Sequence, residues 1–259
     1  MSAEEQDPII ALVWRPADSC PPVMQMAQRT GSRAIFDCST MEAEALPAFL
    51  QRVDPAGQVR DIKISTLALM NPSVERILGE SGIQSLWVEC DSYSRPADSS
   101  AILSQLKVLS QTYRCFPIVG DVPLLAAMVR DGLEIGRIVL KGCEASGFVG
   151  SETILVLYST AKDMLRTSAK PLDIVIWGGV WTPEAAAALL VTGAAGIVFE
   201  SVHWLTDLVA TDDLVLFARK KPLKLRIVKD ERYTAELPLQ YCPSIGALPY
   251  IEYEHSAVA

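Results

Sequence analysis

The sequence predicts a (β/α)8 barrel, and three observations carry that expectation. Eight short apolar runs alternate with amphipathic stretches through residues 1–210 of the 259. The runs are continuously apolar rather than alternating, the pattern of parallel strands covered on both faces. No GxGxxG follows the first run, which disfavours the rival, an open doubly wound sheet. Half of the residues are hydrophobic, enough to bury one large core.

The units follow in order. IIALVW (9–14) is the first strand, and PPVMQMAQRTG its helix, with proline at the start and Gly31 as the stop. AIFDCS (34–39) precedes MEAEALPAFLQRV, in which Pro47 marks a kink or a late start. DIKIS (61–65) precedes NPSVERILGESG, where Asn71 is a candidate cap and Pro72 a first-turn proline. SLWVEC (85–90) and SSAILSQLKVLSQT form the fourth pair. RCFPIVG (114–120) and VPLLAAMVRDG form the fifth, although Pro117 weakens the strand. RIVLKG (137–142) with SETILVLYSTAKDML, DIVIWGG (173–179) with TPEAAAALLVTG, and GIVFES (196–201) complete the set.

Past residue 210 the pattern decays into a segment rich in proline, charge and tyrosine. The expected organisation is a barrel over 1–210 and a C-terminal extension or inter-domain linker over 211–259. Part of that extension is expected to fold back on the barrel as a helix or a strand pair. Its ragged end suits a domain excised from a longer chain.

Composition excludes several classes. A net charge of −8 argues against nucleic acid and anionic membranes as partners. The local basic run KKPLKLR (220–226) reads as a solvated linker. Six scattered cysteines form no CxxC pair and have no histidine near them, so neither a metal site nor a disulfide framework is indicated. The acidic N-terminus is unlike a signal peptide, and no apolar run reaches the ~18 residues of a membrane span. A soluble, cytoplasmic protein with reduced thiols is the expectation.

Barrel ligands sit at the loops after the strands, with phosphates commonly held after strands seven and eight. Strand seven ends WGGVWTPE, where Gly178 and Gly179 let a backbone approach an anion and Thr182-Pro183 starts a helix. Strand eight ends FESVHWLTD, offering Ser201 and a second helix start; plain turn chemistry is the alternative for the glycine pair. Lys141, closing strand six, is either a snorkelling surface lysine or a cation at the mouth that stabilises an anion or a reduced ring. Glu144 is its partner or a ring acceptor, and Glu152 a first-turn helix charge. Cys143 is a small filler or a reactive thiol with no base visible beside it. Of the two histidines, His203 flanks the candidate phosphate site or packs at a helix start, and His255 lies in the tail. No catalytic triad, HExxH or paired-carboxylate motif appears.

KGCEASGFVG, followed by IVIWGGVWTPEAAAALLVTGAAGIVFES, resembles the FMN-binding barrel of the nitronate monooxygenase (2-nitropropane dioxygenase) family. The likeness is greatest to members attached to polyketide and polyunsaturated fatty acid synthases, enoyl reductase subunits among them, and it is concentrated in residues 137–208. The resemblance implies FMN, with Lys141 and Gly142 against the flavin ring, Gly178, Gly179 and Ser201 around its phosphate, and Gly147 a further cofactor-binding residue. It also exposes departures. Phe148 stands where the family's catalytic histidine would be, and a phenyl ring takes no proton from a nitroalkane. Ser146 replaces a loop glycine, and Glu200 puts a carboxylate beside the implied phosphate.

The resemblance therefore implies an FMN-dependent oxidoreductase domain of an acyl-chain synthase acting on an enoyl thioester, not a nitronate oxidase. NADPH as electron donor, an acyl carrier protein and neighbouring synthase domains as partners, and a homodimer are its further implications. Cys143 and Tyr158 are the weak candidates for a proton donor. The alternative is a degenerate, non-catalytic barrel with a structural or docking role; a third reading is a barrel that binds some other phosphorylated metabolite.

Overall fold

Each of the eight apolar runs forms a strand. The computed structural model describes residues 8–14, 26–39, 41, 43–53, 57, 59–69, 71–90, 99–130, 136–145, 147–148, 152–166, 172–180, 182–199, 224–229 and 236–241. Numbered in chain order, the barrel strands are β1 (Ile9–Trp14), β2 (Arg33–Asp37), β3 (Asp61–Ser65), β4 (Ser85–Cys90), β5 (Arg114–Val119) and β6 (Arg137–Lys141). After a two-residue strand outside the barrel, β7 (Gly147–Phe148), come β8 (Asp173–Trp177) and β9 (Gly196–Phe199). The order β1-β2-β3-β4-β5-β6-β8-β9 is closed by parallel pairing of β9 with β1, in which Ile9 lies opposite Gly196.

Pro117 is accommodated inside β5. The ladder to β4 runs the whole strand, while the ladder to β6 is confined to Ile118 and Val119. The proline lacks an N–H to donate, and pairing to β6 starts only beyond it.

Residues 26–30 are helical ahead of β2, and the helices that follow are α1 (Leu46–Val53), α2 (Thr66–Leu69), α3 (Val74–Glu80), α4 (Ser99–Leu109), α5 (Val122–Arg130), α6 (Ile154–Leu165) and α7 (Pro183–Val191). Pro47 falls in the first turn of α1, so it marks a late start rather than a kink. The helix expected to begin at Asn71 starts at Val74. Asn71 instead forms a turn whose Oδ1 accepts from the Ser73 N–H at 2.8 Å. The single turn α2 has no counterpart in the sequence pattern.

Two apolar layers result. One lies between the sheet and the helices, and the other fills the lumen, where the Trp87 and Phe116 rings stack at 4.2 Å. The C-terminal segment folds back as a strand pair. β10 (Lys224–Lys229) and β11 (Glu236–Tyr241) are antiparallel, and β11 also pairs with β7, Leu239 opposite Phe148 and Gln240 opposite Gly147. No helix among the described residues is long and apolar enough to cross a membrane.

Candidate functional site

Alternation along the strands decides which side chains enter the lumen. Ile35, Trp87, Val139 and Val175 all line it. Two residues further along the same strands stand Asp37, Glu89, Lys141 and Trp177, each therefore aimed into the lumen at its C-terminal end. Lys63 on β3 joins them, in register with Asp37 and Trp87.

These side chains form one chain of alternating charge. Lys63 Nζ lies 3.0 Å from Asp37 Oδ2 and 3.0 Å from Glu89 Oε2, and Lys141 Nζ lies 2.8 Å from Glu89 Oε1. The indole of Trp177 forms a shared wall, with Lys63 Nζ 5.4 Å and Lys141 Nζ 5.1 Å from its ring centre. All four charged residues are buried, Lys141 most deeply at 2% exposure. Two carboxylates face two ammonium groups, so the set is neutral. That balance is the condition for holding ions out of water.

Nearer the other end of the lumen, Asp61 accepts from Arg33 Nη1 and Trp87 Nε1, each at 3.1 Å. Among the described residues no group of three or more histidines, cysteines or carboxylates is arranged to hold a metal ion.

The loop after β6 is fastened on several sides. Gly142 N–H donates to the Trp177 carbonyl at 2.9 Å, and Cys143 N–H to the Glu152 carbonyl at 2.8 Å. Glu144 Oε2 accepts from the Ile154 N–H at 2.9 Å, so this carboxylate caps α6; the partner of Lys141 is Glu89. A Cβ on Gly178 would fall 2.9 Å from the Ala145 nitrogen, and one on Gly179 2.9 Å from Ile154 Cγ2. Their φ values of +105° and +69° also require glycine. On these sides the two glycines face packed protein, not open surface.

The start of α7 is likewise filled. Thr182 Oγ1 accepts from the Ala185 N–H at 3.2 Å, as the sequence predicts of a cap. Glu184 sits in the first turn, its carboxyl held below the usual range by its own backbone N–H and the Thr182 hydroxyl. Thr182 thus satisfies one of the first-turn donors, and Glu184 adds negative charge at the same helix end.

Cys143 is half-buried, and burial, then the Glu144 and Glu152 carboxylates, push its thiol up. That environment disfavours the thiolate and supports the filler reading. Tyr158 donates to the Thr192 carbonyl at 3.1 Å. Thr192 follows α7 on the way into β9, at the opposite end of the barrel, so Tyr158 is no proton donor at the mouth. Gly147 and Phe148 belong to the β7–β11 ladder rather than to an open loop. Ser201, Glu200, His203, His255 and Ser146 lie outside the described residues.

Lys141, Gly142, Gly178 and Gly179 stand at the neighbouring ends of β6 and β8, while Asp37, Lys63, Glu89 and Trp177 are absent from the sequence-based candidates. The signal was present. A charge inside an otherwise apolar strand, Lys63 in DIKIS or Glu89 in SLWVEC, must find a buried partner.

No known family profile matches the chain, and no curated protein matches it in sequence. Solved structures do share its architecture. FabK from Thermotoga maritima superposes with a TM-score of 0.67 at 14% identity, over 90% of this chain and 70% of its own. The enoyl reductase domain of MlnA, from the macrolactin biosynthesis cluster of Bacillus amyloliquefaciens, gives 0.64 at 13%, over 96% of this chain and 66% of its own. Nitroalkane oxidase from Streptomyces ansochromogenes gives 0.56 at 13%, over 83% and 72%. The chain has the (β/α)8 fold of these proteins.

The described residues carry only part of the FMN site that the sequence resemblance implies, since Glu200 and Ser201 lie outside them. The cation expected beside a flavin ring is neutralised by Glu89 and buried. The glycine pair is packed against Ala145 and Ile154, and Thr182 Oγ1 takes the Ala185 N–H at the start of α7.

Proposed function

We propose that the chain is a non-catalytic barrel that acts as a docking or scaffolding unit within an acyl-chain synthase. The observation that carries this reading is the ion-paired chain Asp37–Lys63–Glu89–Lys141, which uses internally every charged group that the described strand ends aim into the mouth. The synthase setting rests on the resemblance of residues 137–208 to synthase-attached barrels and on the fold shared with the MlnA enoyl reductase domain. Its partners are the neighbouring synthase domains and the acyl carrier protein.

The test is optical. The purified protein is expected to be colourless and to leave FMN fluorescence and its own melting temperature unchanged at millimolar FMN. A yellow protein releasing one FMN per chain on denaturation overturns the reading.

A second reading, an FMN-dependent enoyl reductase, is favoured by the match over 96% of this chain to the MlnA domain. It requires flavin-loaded protein to oxidise NADPH in the presence of an enoyl thioester. The absence of such turnover in protein reconstituted with FMN removes it.

A further inference from the structure

We infer that the partner of the barrel's C-terminal mouth is this chain's own β10–β11 hairpin, which acts as a strap over the loop after β6. Three observations meet here. β7 begins six residues beyond Lys141, the last residue of β6, so whatever pairs with β7 is held at the C-terminal end of the barrel. The hairpin is a six-pair antiparallel ladder whose inner strand, β11, continues into β7 through Leu239–Phe148 and Gln240–Gly147. The strand-end charges Asp37, Glu89 and Lys141 are buried, although barrel ends are where such groups ordinarily meet solvent or ligand.

The loop after β6 is thereby tied from both directions. On the inner side it is held by Glu144 on α6 and by Ala145 against Gly178. On the outer side it is held by β11. A two-residue strand has no stability of its own, so β7 exists because the hairpin pairs with it. β10 and β11 then belong mechanically to the barrel rather than to a linker, and their release is the motion that opens the mouth. This holds whether or not the barrel binds flavin.

Hydrogen exchange on the full chain tests the strap. Leu239→Pro removes an N–H from β11 and clashes within the ladder. It is expected to raise exchange of amides 142–148 roughly a hundredfold while β3 to β5 stay protected. Alkylation of Cys143, read by mass spectrometry, is expected to accelerate in the same variant by roughly tenfold. Unchanged exchange at 142–148 with the barrel intact overturns the strap.

If Leu239→Pro unfolds the whole chain, the double variant Phe148→Cys/Leu239→Cys decides. Opposed residues of an antiparallel pair lie about 4.5–5.5 Å apart at Cα, within disulfide reach. A bond between these two positions, mapped by peptide mass in the folded protein, supports the strap. Its failure to form under mild oxidation overturns it.

Discussion

The carboxylate of Glu89 and the ammonium of Lys141 meet at 2.8 Å across a separation of fifty-two residues, joining the ends of β4 and β6 inside the barrel. Glu89 also reaches Lys63 at 3.0 Å, so one carboxylate serves two cations. It is the residue on which the neutrality of the lumen depends.

Replacing Glu89 by Gln leaves two buried ammonium groups facing Asp37 alone. The expected cost is about 3–5 kcal/mol, the range for breaking a buried ion pair. The double variant Glu89→Leu/Lys141→Met keeps the Asp37–Lys63 pair balanced and is expected to be more stable than Glu89→Gln. Urea unfolding of the three proteins checks the order. A double variant less stable than the single one would show that contacts rather than charge balance dominate.

Gly178→Ala is expected to destabilise by about 1–3 kcal/mol, the range for a residue held in a sparsely populated backbone region. The φ of +105° and the approach of the new Cβ to the Ala145 nitrogen act together. Thermal unfolding measures it, and a neutral outcome would mean that the loop after β6 does not press on this turn.

Thr182→Ala removes the cap of α7 and the hydroxyl beside Glu184. A loss of about 1 kcal/mol is expected. The variant should also titrate Glu184 closer to an ordinary carboxylate, which side-chain carbonyl NMR reads directly. The cap's contribution through Glu184 is present above the ordinary carboxylate range and lost as pH falls through its depressed folded value.

Cys115 gives the alkaline prediction. Burial pushes its thiol up to about 12 from 9.0. The unfolded chain releases this proton first, so the stability is fully present below pH 9 and declines as pH rises towards 12. The decline for this one thiol is about 1.4 kcal/mol per pH unit. Cys115→Ala is expected to be less stable at pH 8 yet to lose less on going to pH 10.5. Parallel curves for the two proteins would contradict it.

Much of the architecture was legible because parallel strands covered on both sides are written as unbroken apolar runs, and all eight appear where IIALVW, DIKIS, SLWVEC and their kin stand. The same property hid the site. With no alternation to mark the inward face, nothing local says whether Lys63 or Glu89 points into the lumen or towards the helices. Closure of the barrel decides that, through the register of β2, β3 and β4. Lys141 was noticed because it ends a run beside glycine, but its partner lies two strands away. Phe148 is paired to Leu239 from the far end of the chain, beyond the reach of any local pattern.

The pairing of β1 with β9 has a kinetic side. Ile9 finds Gly196 only after every intervening strand has been made, so the contact that closes the barrel has the highest sequence separation in the sheet. Contacts of that kind form late, since a long loop must be closed before they contribute. An open sheet that has not yet made this contact presents an unpaired β1 edge, the kind of edge that invites pairing with another chain.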